Sequence, residues 1–549
     1  MKFSNRAILF GVAATLAATA CNKDLNIVNP NAPDARRALS DPAALEAVAG
    51  GTLHTWFTGY EGMMAVGPLS TLADAYSSSW NNFFMLYINS QDADGSRNTR
   101  PWKNDPGAQE RKHLEWYWQQ YYSVASSASD VLKAIRVDKL VINNTSDTKR
   151  AETIAAFMNG AAHSGISMIY NKGYIIDETT DVTALKYSNR KEMRDAAVSK
   201  LAAAIALADA NTFTTPAAWT NGRSYTNKQI SQIANTMAAM TLAYYPRDAA
   251  ENATEVDWVK VAAYASKGMS SSAPFDFVFV GDGCAQWCHD VLTWFNSIDT
   301  GVLHSRVANL LDPATQADPY CGSVGTATCA PGKSGNPQPN SPDKRLGDGT
   351  FGDESLIDGF GTIPVTPTSR PGTDFSYSTY EIFSSSRGQY HQGNIGHIRY
   401  DLSRNQDPTG IYGGYGPAPV ISAGQNDLIW AEALIRQATP NLALAATLIN
   451  NTRVTRGGLP PATAADGVSG LLTKLQYEQD VELLGLGATP FYNRRRLPNC
   501  VQVNGGPCVG GLRVGTPHEM PVPAKELGVK SEPLYTYGGA TNPANSTKP

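Results

Sequence analysis

Between Gln109 and Met269 the apolar residues fall three and four apart in one segment after another, and this period constrains the fold more than any other feature of the chain. Such spacing puts side chains on one stripe of a helix. The stripe of Gln109 to Arg136 carries Leu114, Tyr117, Tyr121, Val124, Ala128, Leu132 and Ile135. Thr148 to Asn171 carries Ile154, Phe157, Met158, Ala161, Gly165, Met168 and Ile169. Arg190 to Ala208, Asn227 to Tyr245 and Asp257 to Met269 repeat the pattern, with many facing positions occupied by Ala or Gly, which lets helix backbones approach closely.

These segments, roughly 15 to 25 residues each, predict stacked helical hairpins of the tetratricopeptide sort, although no clean period of about 34 residues runs through them. Upstream, Asp41-Pro42 has the N-cap and first-turn chemistry of another helix, whose apolar face is Leu45, Val48, Leu53 and Trp56. Helical spacing returns at Asn426 to Arg436, at Leu442 to Arg456 (stopped by Gly457-Gly458) and from about Gly470 to Leu486. The fold class is therefore mainly α. A helical scaffold is expected over residues 41–270 and 424–498, with a loop-rich lobe at 271–423 and a loop-like tail at 499–549.

Within the lobe, Phe275 to Val280 alternates like a strand, and the rest is rich in Gly, Pro, Ser and Asp. Long stretches of this kind are often functional. Six of the seven cysteines fall as neighbours: Cys284 with Cys288, Cys321 with Cys329, and Cys500 with Cys508. In an exported chain an even set reads as disulfides, and three local pairs are expected. A metal site on Cys284, Cys288 and His289 is the alternative.

Export is itself read from the start of the chain. Lys2 and Arg6 precede an uncharged apolar run from Ala7 to Ala20, and small residues lead to Cys21. This is the layout of a bacterial signal, residues 1–20, ending at a cysteine that is lipidated. Residues 21–40, with Asn29-Pro-Asn-Ala-Pro-Asp34, form a Pro-broken tether. The net charge of −4 becomes about −6 once Lys2 and Arg6 are removed, so there is no basic footprint for nucleic acid.

Several short motifs, in order, resemble those of the SusD/RagB family of nutrient-uptake lipoproteins over most of the chain. They are Cys21 with Asn29–Pro33 and the helix Asp41–Trp56, the run Val256–Lys267, Asp343-Lys-Arg345, Asp427–Ala433, Leu448–Arg456, Tyr477–Leu497 and Met520–Glu526. The chain departs from the family pattern at Gln479, where Arg is usual, at Leu486, where Glu is usual, and at Phe491-Tyr492-Asn493. The resemblance implies four tetratricopeptide-like hairpins supporting a loop-rich, ligand-binding lobe. It also implies an outer-membrane anchor through Cys21, with the domain facing outward. The implied partner is a TonB-dependent, SusC-type barrel transporter, and the implied ligand is a glycan or oligosaccharide, with peptide as a further class.

Sugar capture needs aromatic faces and polar side chains together. Trp80, Phe83, Phe84 and Tyr87 form one candidate cluster, and Trp287 and Trp294 a second beside the first cysteine pair. Tyr415 and other tyrosines decorate the later loops. Glu432, on a helix expected to be buried, needs cationic partners, and Arg453 and Arg456 on the next helix are the expected ones. Asp92-Ala-Asp-Gly95 starts like a calcium loop but lacks its closing Glu, so it reads as a turn. No phosphate loop, Gly-x-Ser-x-Gly turn or His-Glu-x-x-His pattern appears, so no cofactor, metal or catalytic residue is assigned. The leading expectation is non-catalytic ligand capture. Its alternatives are a secreted glycan hydrolase on a helical scaffold and a tetratricopeptide-type envelope adaptor.

Overall fold

The computed structural model describes residues 40–62, 64–77, 84–89, 100–295, 302–316, 339–346, 373–377, 395–397, 399, 414–498 and 511–546. In chain order its helices open with α1 (Pro42–Tyr60), α2 (Gly67–Leu72), α3 (Met85–Asn89), α4 (Lys112–Arg136), α5 (Thr145–Ile169), α6 (Arg190–Ala210) and α7 (Asn227–Tyr244). They continue with α8 (Ala249–Thr254), α9 (Trp258–Ala265), α10 (Ser305–Leu311), α11 (Ala423–Arg436), α12 (Leu442–Arg453), α13 (Gly467–Val481), α14 (Thr489–Arg495) and α15 (Ala524–Val529). The strands are short: β1 (Tyr76–Ser77), β2 (Lys172–Gly173), β3 (Ser188–Asn189), β4 (Phe277–Asp282), β5 (Val302–Leu303), β6 (Phe375–Tyr377), β7 (Ile395–His397) and β8 (Tyr415–Ile421).

Local sequence sets the helix ends. Asp41 caps α1, its Oδ1 accepting from the amides of Ala43 at 2.8 Å and Ala44 at 3.2 Å. Thr226 and Gln229 form a reciprocal capping box at the start of α7, as Asn189 and Glu192 do for α6. Gly50-Gly51 does not interrupt α1, and the Trp219 indole fills the space that a Gly50 side chain would occupy.

Packing then follows chain order. α4 lies on α5, α5 on α6, α6 on α7, α7 on α9, and α9 on α11, with α1 against α4 and α5. Small residues make the closeness possible. A methyl at Gly165 of α5 would sit 2.5 Å from the Tyr121 ring of α4, and one at Gly160 would sit 2.9 Å from Leu201 of α6. α11, α12 and α13 enclose a second, smaller core around Leu428, Ile449, Leu471 and Leu475. The mainly α class holds, with strands confined to two-stranded ribbons.

Two features differ from the linear reading. Residues after 510 are largely irregular, yet they thread the scaffold: Met520, Val522 and Leu527 are fully buried, and the Met520 amide donates to the Ile169 carbonyl at 2.7 Å. Three stretches outside the described residues have their flanking residues tied together in pairs. The Asn340 amide donates to Asp312 Oδ2 at 2.7 Å, the amides of Asp374 and Phe375 donate to the Arg345 carbonyl at 3.0 and 2.9 Å, and the Gly511 amide donates to the Pro498 carbonyl at 3.0 Å. Cys321 and Cys329 lie between the first pair of feet, and Cys500 and Cys508 between the third, outside the described residues.

Candidate functional site

The β4–β8 ribbon carries the lobe's first landmark. β4 alternates buried and half-buried residues and pairs antiparallel with β8, Phe279 opposite Ala418 and Asp282 opposite Tyr415. Phe277 and Phe279 stack on Trp56 and Phe57 of α1, so the ribbon rests on the scaffold. At its tip, Gly283 and Cys284 have φ of +71° and +67°, which turns the chain sharply. The Asp282 carboxylate ties the turn by accepting from the amides of Gln286 and Trp287, the latter at 2.9 Å. Cys284 and Cys288 are joined as a disulfide, as expected, so their thiols hold no metal. His289 beside them is fully buried, and burial lowers its pKa to about 3. Among the described residues no group of three or more His, Cys, Asp or Glu could hold a metal ion.

Trp287, a candidate platform, is folded inward. It is 8 % exposed and packs against His54, Phe57 and Phe279 at ring distances of 4.4, 5.6 and 5.8 Å. The tight turn returns it to the ribbon's base, so its visible role is to seat the lobe. Trp80, Phe83 and the Trp294 side chain lie outside the described residues. Phe84 and Tyr87 are both half-buried. Phe84 meets His113 edge-on at 5.5 Å, whereas Tyr87 donates to the Pro101 carbonyl at 2.9 Å and lies under Arg100 and Lys103.

Two buried residues, Met85 next to the first candidate cluster and Phe295 next to the second, meet at Gly67, the first residue of α2. A methyl there would stand 3.1 Å from Sδ of Met85 and 3.2 Å from Cζ of Phe295. The segment that follows Phe84 and the Val291–Phe295 turn of π-helix thus converge over one small residue. The sequence carries no signal for this meeting, because Gly67 reads only as a helix start before Pro68.

The lobe is locked to the closing helices by charge. Arg345 is fully buried and bonds Asp343 through Nη2 at 2.8 Å, Glu478 of α13 through Nη1 at 2.8 Å, and Glu482 through the same atom at 3.0 Å. The Tyr477 hydroxyl donates to Asp343 at 2.7 Å. Asp374 meets Arg456 and Arg399; burial raises its pKa, but the two guanidiniums outweigh burial and hold it below the usual carboxylate range. Glu478 moves the other way, raised by burial despite Arg345.

The expected pairing of Glu432 is corrected by this network. Arg456 serves Asp374 and Glu482, and Arg453 donates to the Pro460 carbonyl at 2.7 Å, with Glu478 at 3.7 Å. Glu432 is instead clasped by Arg496 at 2.9 and 3.0 Å and by Arg436, one turn on, at 2.8 Å. Gln479, where the family pattern has Arg, donates to Glu432 Oε2 at 3.0 Å. Burial pushes the Glu432 pKa up, but Arg496 and Arg436 more than reverse this, to about 2. These carboxylates are scaffold, buried and satisfied, rather than an acid–base pair facing a cleft.

No protein-family model and no curated protein matches the sequence. Solved structures do match in shape. A SusD-like carbohydrate-binding protein from Bacteroides fragilis superposes with a TM-score of 0.53, covering 83% of this chain and 86% of its own, at 14% identity. The fold is SusD-like. A second SusD-like protein from Bacteroides fragilis and a SusD superfamily protein from Parabacteroides distasonis each give a TM-score of 0.52 at 13% identity, covering 91% of this chain and 98% of theirs. Asp343-Lys-Arg345 lies at the lock between lobe and scaffold, and Met520 pairs with Tyr170 just past the end of α5.

Proposed function

We propose that this protein is a SusD/RagB-type lipoprotein, anchored in the outer membrane through Cys21, that captures a glycan or oligosaccharide outside the cell. It passes the ligand uncleaved to a TonB-dependent, SusC-type transporter. The observation that carries the reading is the SusD-like fold, whose compared members include a protein described as carbohydrate-binding. Asp343, Glu478, Glu482 and Glu432 are held in ion pairs, which supports capture over hydrolysis by these carboxylates.

The test is a glycan panel titrated against the purified protein, with product analysis in parallel. Saturable binding without cleavage is expected. Turnover abolished by one carboxylate substitution would refute capture. Cys21→Ser is expected to give a folded, binding-competent protein that no longer supports uptake, and unchanged uptake would remove the anchor from the mechanism.

A further inference from the structure

We propose that the helical scaffold carries a second recognition site, for a partner-protein segment bearing spaced carboxylates, in a groove between α6, α7 and α9. The groove has a volume of about 770 Å³, within the range of ligand-binding clefts. Lys228 of α7, Lys260 of α9 and Lys267 just beyond α9 line it from separate elements. All three are exposed, and among the described residues none has an ion-pair partner, although Asp209 lines the same groove.

Lys228 and Lys260 stand in the first turns of their helices, whose end amides are already capped by the Thr226–Gln229 box and by Asp257, so the positive field comes from the three ammoniums. The floor is polar. Ser231 is 7 % exposed and Asn235 3 %, and neither the Ser231 hydroxyl nor the Asn235 carbonyl oxygen has a hydrogen-bond partner among the described residues. Neither atom is sealed off from the groove, so an occupant can donate to and accept from them. A peptide does so along its backbone while its side-chain carboxylates meet the lysines. A sugar would want an open aromatic face, and the lining offers only the half-buried Tyr264. The site stands whether or not the lobe binds glycan.

The experiment is fluorescence anisotropy on the detergent-solubilised full-length protein, with a labelled peptide of alternating glutamate and serine as probe. Saturable binding is expected, weakening as salt rises and absent for the glutamine counterpart. The triple variant K228Q/K260Q/K267Q is expected to weaken it roughly tenfold or more without lowering the melting temperature, since all three side chains are exposed. The reference variant K112Q/K133Q/K191Q removes the same charge elsewhere and is expected to bind as the parent does. No saturable binding, equal binding by the triple variant, or equal loss in the reference variant would overturn the proposal. So would tighter competition by a uronic-acid trisaccharide than by the unlabelled peptide.

Discussion

Replacing Glu432 with Gln removes one negative charge from a site that holds it between Arg496 and Arg436 with almost no solvent contact. The pKa lowered from 4.5 to about 2 implies about 3 kcal/mol of stabilisation of the ionised form, at 1.36 kcal/mol for each tenfold change. Loss of one partner from a buried pair is costly for the same reason, because Arg496 is left facing a neutral amide. The sign follows from linkage. A carboxylate whose pKa is depressed on folding contributes fully above its unfolded value and loses that contribution as pH falls toward the folded one. The parent should therefore exceed E432Q by about 3 kcal/mol at neutral pH and by about 1.5 kcal/mol near pH 3. Chemical denaturation followed by tryptophan fluorescence at the two pH values measures both gaps. A variant as stable as the parent at neutral pH, or a gap that stays constant on acidification, would refute the reasoning. Glu432→Leu should also lower stability and export yield, without changing ligand affinity per folded molecule.

Glu61 and Asp290 should behave in the opposite sense. Burial raises both pKa values, so their contribution is present in acid and is lost as pH rises; E61Q and D290N should gain melting temperature over the parent progressively from pH 5 to pH 8, and a shrinking gain would count against this. His163 is buried and neutral, with its pKa lowered to about 3 by burial first and Lys200 second. Its contribution should fade as pH drops below about 6.5, so His163→Gln should flatten the acid limb of the stability profile between pH 6 and pH 4. Gly165→Ala should cost about 1–3 kcal/mol through collision with the Tyr121 ring, read as a lowered denaturation midpoint with unchanged helicity.

Much of the scaffold was legible because its signals are local. The Asp41 cap and the three-and-four spacing in α4 to α7 each involve residues within two turns of one another. The Glu432 partner was not legible because Arg496 lies 64 positions away and arrives from beyond α14, whereas the nearer Arg453 and Arg456 face Glu478, Glu482 and Asp374. Trp287 misled for a related reason. An aromatic between two cysteines in a polar stretch reads as exposed, and only the turn held by Asp282 shows that it is driven back against Phe57. The meeting of Met85 and Phe295 at Gly67 depends wholly on tertiary packing.

The paired feet at 312 and 340, 345 and 374, and 498 and 511 bear on how such a protein can diverge. Closing a chain between fixed points costs only about 0.6 kcal/mol more for each doubling of its length. When the closure is made by scaffold residues, a change of length between the feet adds only this small closure cost. Selection for a new cargo could then act on those segments while the Arg345 lock, which fixes one pair of feet, stays under selection for stability alone. Grafting a foreign segment between Arg345 and Asp374 should accordingly leave the melting temperature nearly unchanged.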